Sequence, residues 1–179
     1  IPVRAHNANY DITVLQENGI YVEGLEFDTM IAAHVSGGRN WGLKDLALER
    51  LGHDMTPITD LIGSGKNQIT MSEVSIEKAG QYASADADYT ERLHEILKSD
   101  LEKKDIIDLF LNVEIPLIPV LVKMQQNGVA LDVKLLSEMS SELAAHMNSI
   151  KTEMFELIGH EFNLNSPKQL SDLLFSQLD

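Results

Sequence analysis

The chain has 179 residues, 44% of them hydrophobic, no cysteine and a formal charge of −14 at neutral pH. That length allows one buried core, or one domain and a piece of another. Disulfides and thiolate zinc sites are excluded, and the acidity leaves no basic footprint for binding nucleic acid by charge neutralisation. The longest apolar run, residues 106–124, contains Asp108, Asn112, Glu114, two prolines and Lys123, and is too polar to span a bilayer. No signal peptide is visible, and a start at Ile1 without methionine is expected of a cut fragment of a cytoplasmic protein.

Residues 1–5 read as a short strand. The stretch AHNANYD follows, and a helix is expected over residues 9–17, stopped by Asn18 and Gly19. Asn7 is its candidate cap, and Asp11 falls in its first turn, where the helix dipole stabilises an acid. Residues 20–27 alternate apolar and polar like a second strand. Asp28 and Thr29 cap a helix running to about Val35. Leu43, Leu46, Ala47, Arg50 and Leu51 give one face of another. Residues 52–74 lack periodicity. Gly63-Ser64-Gly65-Lys66 invites a phosphate-loop reading, but Asp60 stands where the first glycine belongs and Asn67 where Ser or Thr is needed, so a surface loop is expected.

A long helix is predicted over residues 75–99, with the stripe Ala79, Ala83, Asp86, Thr90, Leu93, Leu97. Another begins at Asp105, and Pro116 and Pro119 should kink or split it before Asn127 and Gly128 end it. Asp132 caps the next, whose stripe runs from Leu136 through Met139, Leu143, Met147, Ile150 and Met154 to Leu157, closed by Gly159. Ser166, Pro167 and Gln169 form a capping-box signature for a last helix carrying Leu170, Leu173, Leu174 and Leu178. The expected architecture is therefore α/β over residues 1–104, then all-helical over 105–179.

Asp86 sits within a stripe of small and apolar residues, where an unpaired charge is expensive. It needs a cation, a set of hydrogen bonds or a metal. Tyr82 lies one turn earlier on the same face. A plain alternative is a structural ion pair with Tyr82 as ordinary core, just as Asp11 alone reads as a stabilising first-turn acid. His6 neighbours this region, while the other five histidines show no metal-ligand spacing.

Taken in order, Asn7, Tyr10 and Asp11, then Tyr82 and Asp86, resemble the second and third motifs of DEDDy 3′–5′ exonucleases. FDTMIAAHV, LKDLALERLG, GSGKNQ, AGQYASADADYT, NVEIPLIPVLVKMQQNGVALD and EFNLNSPKQL are each similar to the corresponding stretches of bacterial family A DNA polymerases, the DNA polymerase I type. The resemblance covers almost the whole chain. It implies a partial RNase H-like exonuclease domain over residues 1–104, and over 105–179 the helical start of a polymerase domain leading into the thumb. It also implies two-metal phosphodiester hydrolysis with Mg²⁺ or Mn²⁺, the ions about 3.5–4 Å apart. Asp86 would be a ligand of the ion carrying the attacking water, Asp11 would serve the second ion, and Tyr82 would aim the nucleophile. Asn7 and Tyr10 become weak substrate contacts. Ile58 stands where the family often has an aromatic near the 3′-terminal base, and could only pack on that base.

The implied partners are DNA, as a single-stranded 3′ end and as primer-template in the parent protein, acting as a monomer without a membrane. The family's first motif, an Asp-x-Glu, is expected upstream of Ile1, and the polymerase motifs downstream of Asp179. The fragment alone is then expected to be inactive, with two of four acids missing. Two alternatives stay open: a vestigial exonuclease-like module that only braces the polymerase, and a free-standing DEDD ribonuclease, against which the IPLIPVL…NGV junction counts.

Overall fold

A computed structural model describes residues 1–176, which form two compact units, Ile1–Gly128 and the segment from Val129 onward. The first unit opens with strand β1 (Val3–Ala5), helix α1 (Ala8–Glu17) and strand β2 (Leu25–Asp28). The two strands pair in parallel, Val3 with Leu25, Arg4 with Phe27 and Ala5 with Asp28, so one extra residue, Glu26, bulges between the first two pairs. Parallel strands need a crossover element, and α1 supplies it. Among the described residues this is a two-stranded sheet in a mostly helical chain. The strand expected from residue 20 begins only at Leu25. β1 offers three residues to pair with, and Ile20 and Tyr21 stay exposed, so their alternation buries nothing.

Helices α2 (Thr29–Val35), α3 (Leu43–Leu51), α4 (Thr59–Ile62) and α5 (Ile76–Lys103) follow, with 3₁₀ turns at Gly65–Asn67 and Met71–Glu73. The core is where the α5 period meets α2 and β2. Leu93, Leu97 and Leu101 pack with Phe27, Ala32, Ala33, Leu46 and Phe110. The Phe27 ring lies 4.7 Å from that of Phe110 and edge-on to His94 at 4.6 Å. Emptying one such leucine position costs about 2–5 kcal/mol. A second cluster joins Ala47, Met55 and Tyr89, tying α3 to α5.

After a left-handed Asp105, helix α6 (Ile107–Leu109), a π-helical turn (Phe110–Glu114) and helix α7 (Ile115–Asn127) form one run. The prolines do not interrupt it. Pro116 follows directly on the π turn. The carbonyl its ring would crowd, that of Asn112, lies in the widened π turn. The sequence places a domain change at residues 104/105. In packing, α7 belongs to the first unit: Ile118 and Val122 close over Ala8 and Ile12 of α1.

In the second unit, Asp132 caps helix α8 (Val133–Ile158) by accepting from the Leu135 amide at 2.9 Å, and Gly159 ends it at φ 82°. Phe155 and Phe162 pack edge to face with ring centres 5.6 Å apart. Helix α9 (Pro167–Ser176) buries Leu173. Only half of the expected capping box forms. The Gln169 amide donates to Ser166 Oγ at 3.4 Å, but Gln169 Oε1 accepts from Asn163 N–H instead of Ser166. The expected contribution of Leu178 lies outside the described residues.

Candidate active site

One acid organises the entry to the site. Asp28 is fully buried, at 0% exposure, at the end of β2. Its Oδ1 accepts from the amides of Met30 (2.9 Å) and Ile31 (3.1 Å) at the start of α2, and from Asn7 N–H at 3.3 Å. Its Oδ2 accepts from Ala8 N–H at 2.6 Å, at the start of α1. A single carboxylate thus caps two helices that both begin at the ends of paired strands, satisfying amides that a helix leaves without partners. This corrects the expected role of Asn7. It occupies the cap position in a left-handed conformation (φ 68°), but its side chain makes no capping bond. The Asp28 carboxylate already fills that place.

Capped this way, α1 presents Asp11 to a cleft of about 750 Å³. β1 contributes Arg4, Ala5 and the adjoining His6; α3 with its approach contributes Gly42, Leu43, Lys44 and Asp45; α5 contributes Tyr82, Asp86, Ala87, Thr90 and Glu91. Asp11, Tyr82 and Asp86, three widely separated sequence candidates, therefore line one cavity. The other candidates do not: Asn7 and Tyr10 lie off its lining, and Tyr10 is 65% exposed. A smaller cleft adjoins it through Tyr82 and Asp86, lined also by Met55, Thr56, Asp60 and Leu61. Ile58, just before α4, is exposed and outside that lining too.

The electrostatics are uneven. Partial desolvation of Asp11, whose side chain still reaches solvent, and then the charge of Asp28 raise its carboxyl above the ordinary carboxylate value. Asp86 lies at the lip, its side chain 34% exposed, with the Lys44 ammonium 3.8 Å from Oδ1. That separation is too long for a hydrogen bond, and Oδ1 is enclosed without any hydrogen-bond partner. The expected inward-facing stripe is thus buried only from Thr90 onward, and Ala83 is exposed. Lys44 Nζ donates to the Tyr82 hydroxyl at 2.9 Å. Arg4 reaches Glu26 at 3.4 Å and also pairs with Glu91. The Thr29 hydroxyl lies 3.2 Å from the Ala5 carbonyl and 2.9 Å from His6 Nδ1, and the direction of the second contact follows the His6 tautomer. Burial lowers the His6 pKa, against the opposing charges of Asp28 and Asp86.

Sequence reasoning missed Arg4 and Lys44. One signal was available for Lys44. It sits in the first turn of α3, where the helix dipole disfavours a cation, beside Asp45, which the dipole favours there. No group of three or more His, Asp or Glu side chains disposed to hold a metal occurs among the described residues.

Residues 1–102 match a family described as 3′–5′ exonuclease. The chain is 46% identical to a DNA polymerase I of Chloroflexus aurantiacus over 99% of its own length and 19% of the relative's. It is 38% identical to that of Pseudomonas aeruginosa over 96% of its length and, again, 19% of the relative's. It therefore spans about a fifth of the curated relatives it matches. A solved structure described as the POL domain of Pol1 from M. smegmatis in complex with DNA primer-template and dNTP aligns with 99% of the chain and 28% of its own, at a TM-score of 0.73 and 27% identity. With the family match covering more than half its length, this chain belongs to the 3′–5′ exonuclease family found in DNA polymerase I.

Proposed function

We propose that the chain is the proofreading 3′–5′ exonuclease region of a cytoplasmic, monomeric DNA polymerase I, with an RNase H-like, DEDDy domain over residues 1–104 and the first helices of the polymerase segment over 105–179. Its substrate is the single-stranded 3′ end of DNA. The observation that carries this reading is the convergence of Asp11, Tyr82 and Asp86 on one cleft, with an oxygen of Asp86 enclosed and without a hydrogen-bond donor. A buried acceptor left unpaired is costly unless something binds it.

The donor set fits hard divalent cations: carboxylate oxygens suit Mg²⁺ or Mn²⁺, and Asp11 and Asp86 are the residues that would hold them. When bound, such ions activate water and neutralise charge on the scissile phosphate. The rest falls to side chains. The Tyr82 hydroxyl, fixed by Lys44, offers an O–H to orient the nucleophile. Arg4 and Lys44 put the cleft's positive charge beside an incoming phosphodiester, although the chain as a whole is acidic. Partial burial and the charge of Asp28 disfavour the ionised form of Asp11, and a bound cation would offset both.

Two carboxylates are few for two ions, so the chain by itself is inactive in this reading. The alternative is a non-catalytic brace for a polymerase, against which the convergence of Asp11, Tyr82 and Asp86 on one cleft counts. Calorimetry with Mn²⁺ separates the two, on the chain and on a version extended upstream, each with and without Asp11→Ala and Asp86→Ala. Two ions bound by the extended protein and lost on substitution support the exonuclease; no binding supports the brace. Robust metal-dependent hydrolysis of single-stranded DNA by the unextended chain, abolished by Asp86→Ala, overturns its proposed inactivity.

A further inference from the structure

The geometry points to Lys44 as the positioning residue of this site: its ammonium fixes the Tyr82 phenol and supplies cationic charge beside Asp86 that a divalent metal must displace. The inference rests on the exonuclease reading above. Lys44 comes from α3, whereas Tyr82 and Asp86 lie one turn apart on α5, and packing of Ala47 with Met55 and Tyr89 holds those two helices together. The Lys44 ammonium lies 2.9 Å from the Tyr82 oxygen and 4.3 Å from the centre of its ring, so hydrogen bond and cation–π attraction act on one phenol.

The direction of that bond matters. Lys44 can only donate, so the Tyr82 oxygen accepts and the phenol's own O–H must point elsewhere. With one lone pair occupied by Lys44, the O–H turns away from α3. A phenol held this way orients a water through the water's lone pair, leaving the water's protons free to depart. Toward Asp86 the contact is Coulombic only, 3.8 Å from an oxygen that has no hydrogen bond. A lysine there balances the charge without completing the site. Asp86 would exchange the Lys44 charge for that of a divalent ion, which is twice as large, while Lys44 would keep its bond to the phenol.

The test compares Lys44→Met and Lys44→Arg in the upstream-extended protein, each first checked by thermal melting. Removing a competing cation predicts Mn²⁺ binding about 2–5-fold tighter in Lys44→Met, the scale of a partly exposed ion pair. On a single-stranded oligodeoxynucleotide, kcat should fall about tenfold or more with KM within about twofold, since an oriented nucleophile acts in the transition state rather than in binding. Lys44→Arg keeps charge and donors and should recover part of kcat. Unchanged Mn²⁺ affinity with unchanged kcat overturns the inference. So does a raised KM with intact kcat, which reduces Lys44 to a backbone-phosphate contact. If the wild-type extended protein neither binds Mn²⁺ nor hydrolyses DNA, the exonuclease reading itself fails, and the role of Lys44 with it.

Discussion

Asp28 and Asp86 are both carboxylates whose charges act on His6, and they are finished to different degrees. Asp28 receives four backbone amides from two helix starts and is sealed from water. Asp86 has a lysine at 3.8 Å, an oxygen without a hydrogen bond and a third of its side chain in solvent. A buried acid whose acceptors are all used holds the chain together and has no valence left for chemistry. An acid left partly unsatisfied adds little to the fold and retains the capacity to bind something else. Of these two acids, the one proposed for the site is the one left partly unsatisfied.

The sharpest way to break that contrast is to truncate both acids. Asp28→Ala strands amides at the starts of α1 and α2 together, and should cost about 3–5 kcal/mol in chemical denaturation. Asp86→Ala should change stability by less than about 1 kcal/mol in either direction, because the partner it loses is a partly exposed lysine 3.8 Å away. Equal losses in the two variants would mean that Asp86 is structural and that its open oxygen carries no functional meaning.

The same contrast explains what the sequence disclosed. The cap of α2 by Asp28 was legible, because an acid directly before a helix is a local signal. Its second cap, on α1, was not. That contact joins residues 20 positions apart and exists only because β1 and β2 pair. Leu93 and Leu97 were legible from period alone, since a buried helix face repeats along the chain. The π turn before Pro116 was not, because it answers a clash that only a continued helix creates. Within the site, Asp11, Tyr82 and Asp86 entered through a resemblance in motif order, and their convergence could be seen only in the fold. Lys44 lies 38 residues from its phenol and on another helix, so no spacing rule connects them. Ile58 was placed near the substrate by alignment of a loop, and loop direction is what a linear reading fixes least.

Glu73 offers the smallest and most local test. It is exposed, yet its carboxylate accepts from Thr70 N–H at 2.8 Å and from the Thr70 hydroxyl at 2.7 Å. Those two donors, the backbone one first, hold its pKa below the ordinary glutamate value, the opposite of the shift at Asp11. A carboxyl whose folded pKa is depressed stabilises the fold above its unfolded pKa and loses that contribution as pH falls through the folded value. Glu73→Gln should therefore lower the melting temperature slightly near neutral pH, with the difference shrinking once the solution falls below about pH 4, where the unfolded glutamate protonates. A difference independent of pH would show that the turn depends on the shape of the side chain and not on its charge. The satisfied-acid argument would then hold only where burial excludes water, as it does at Asp28.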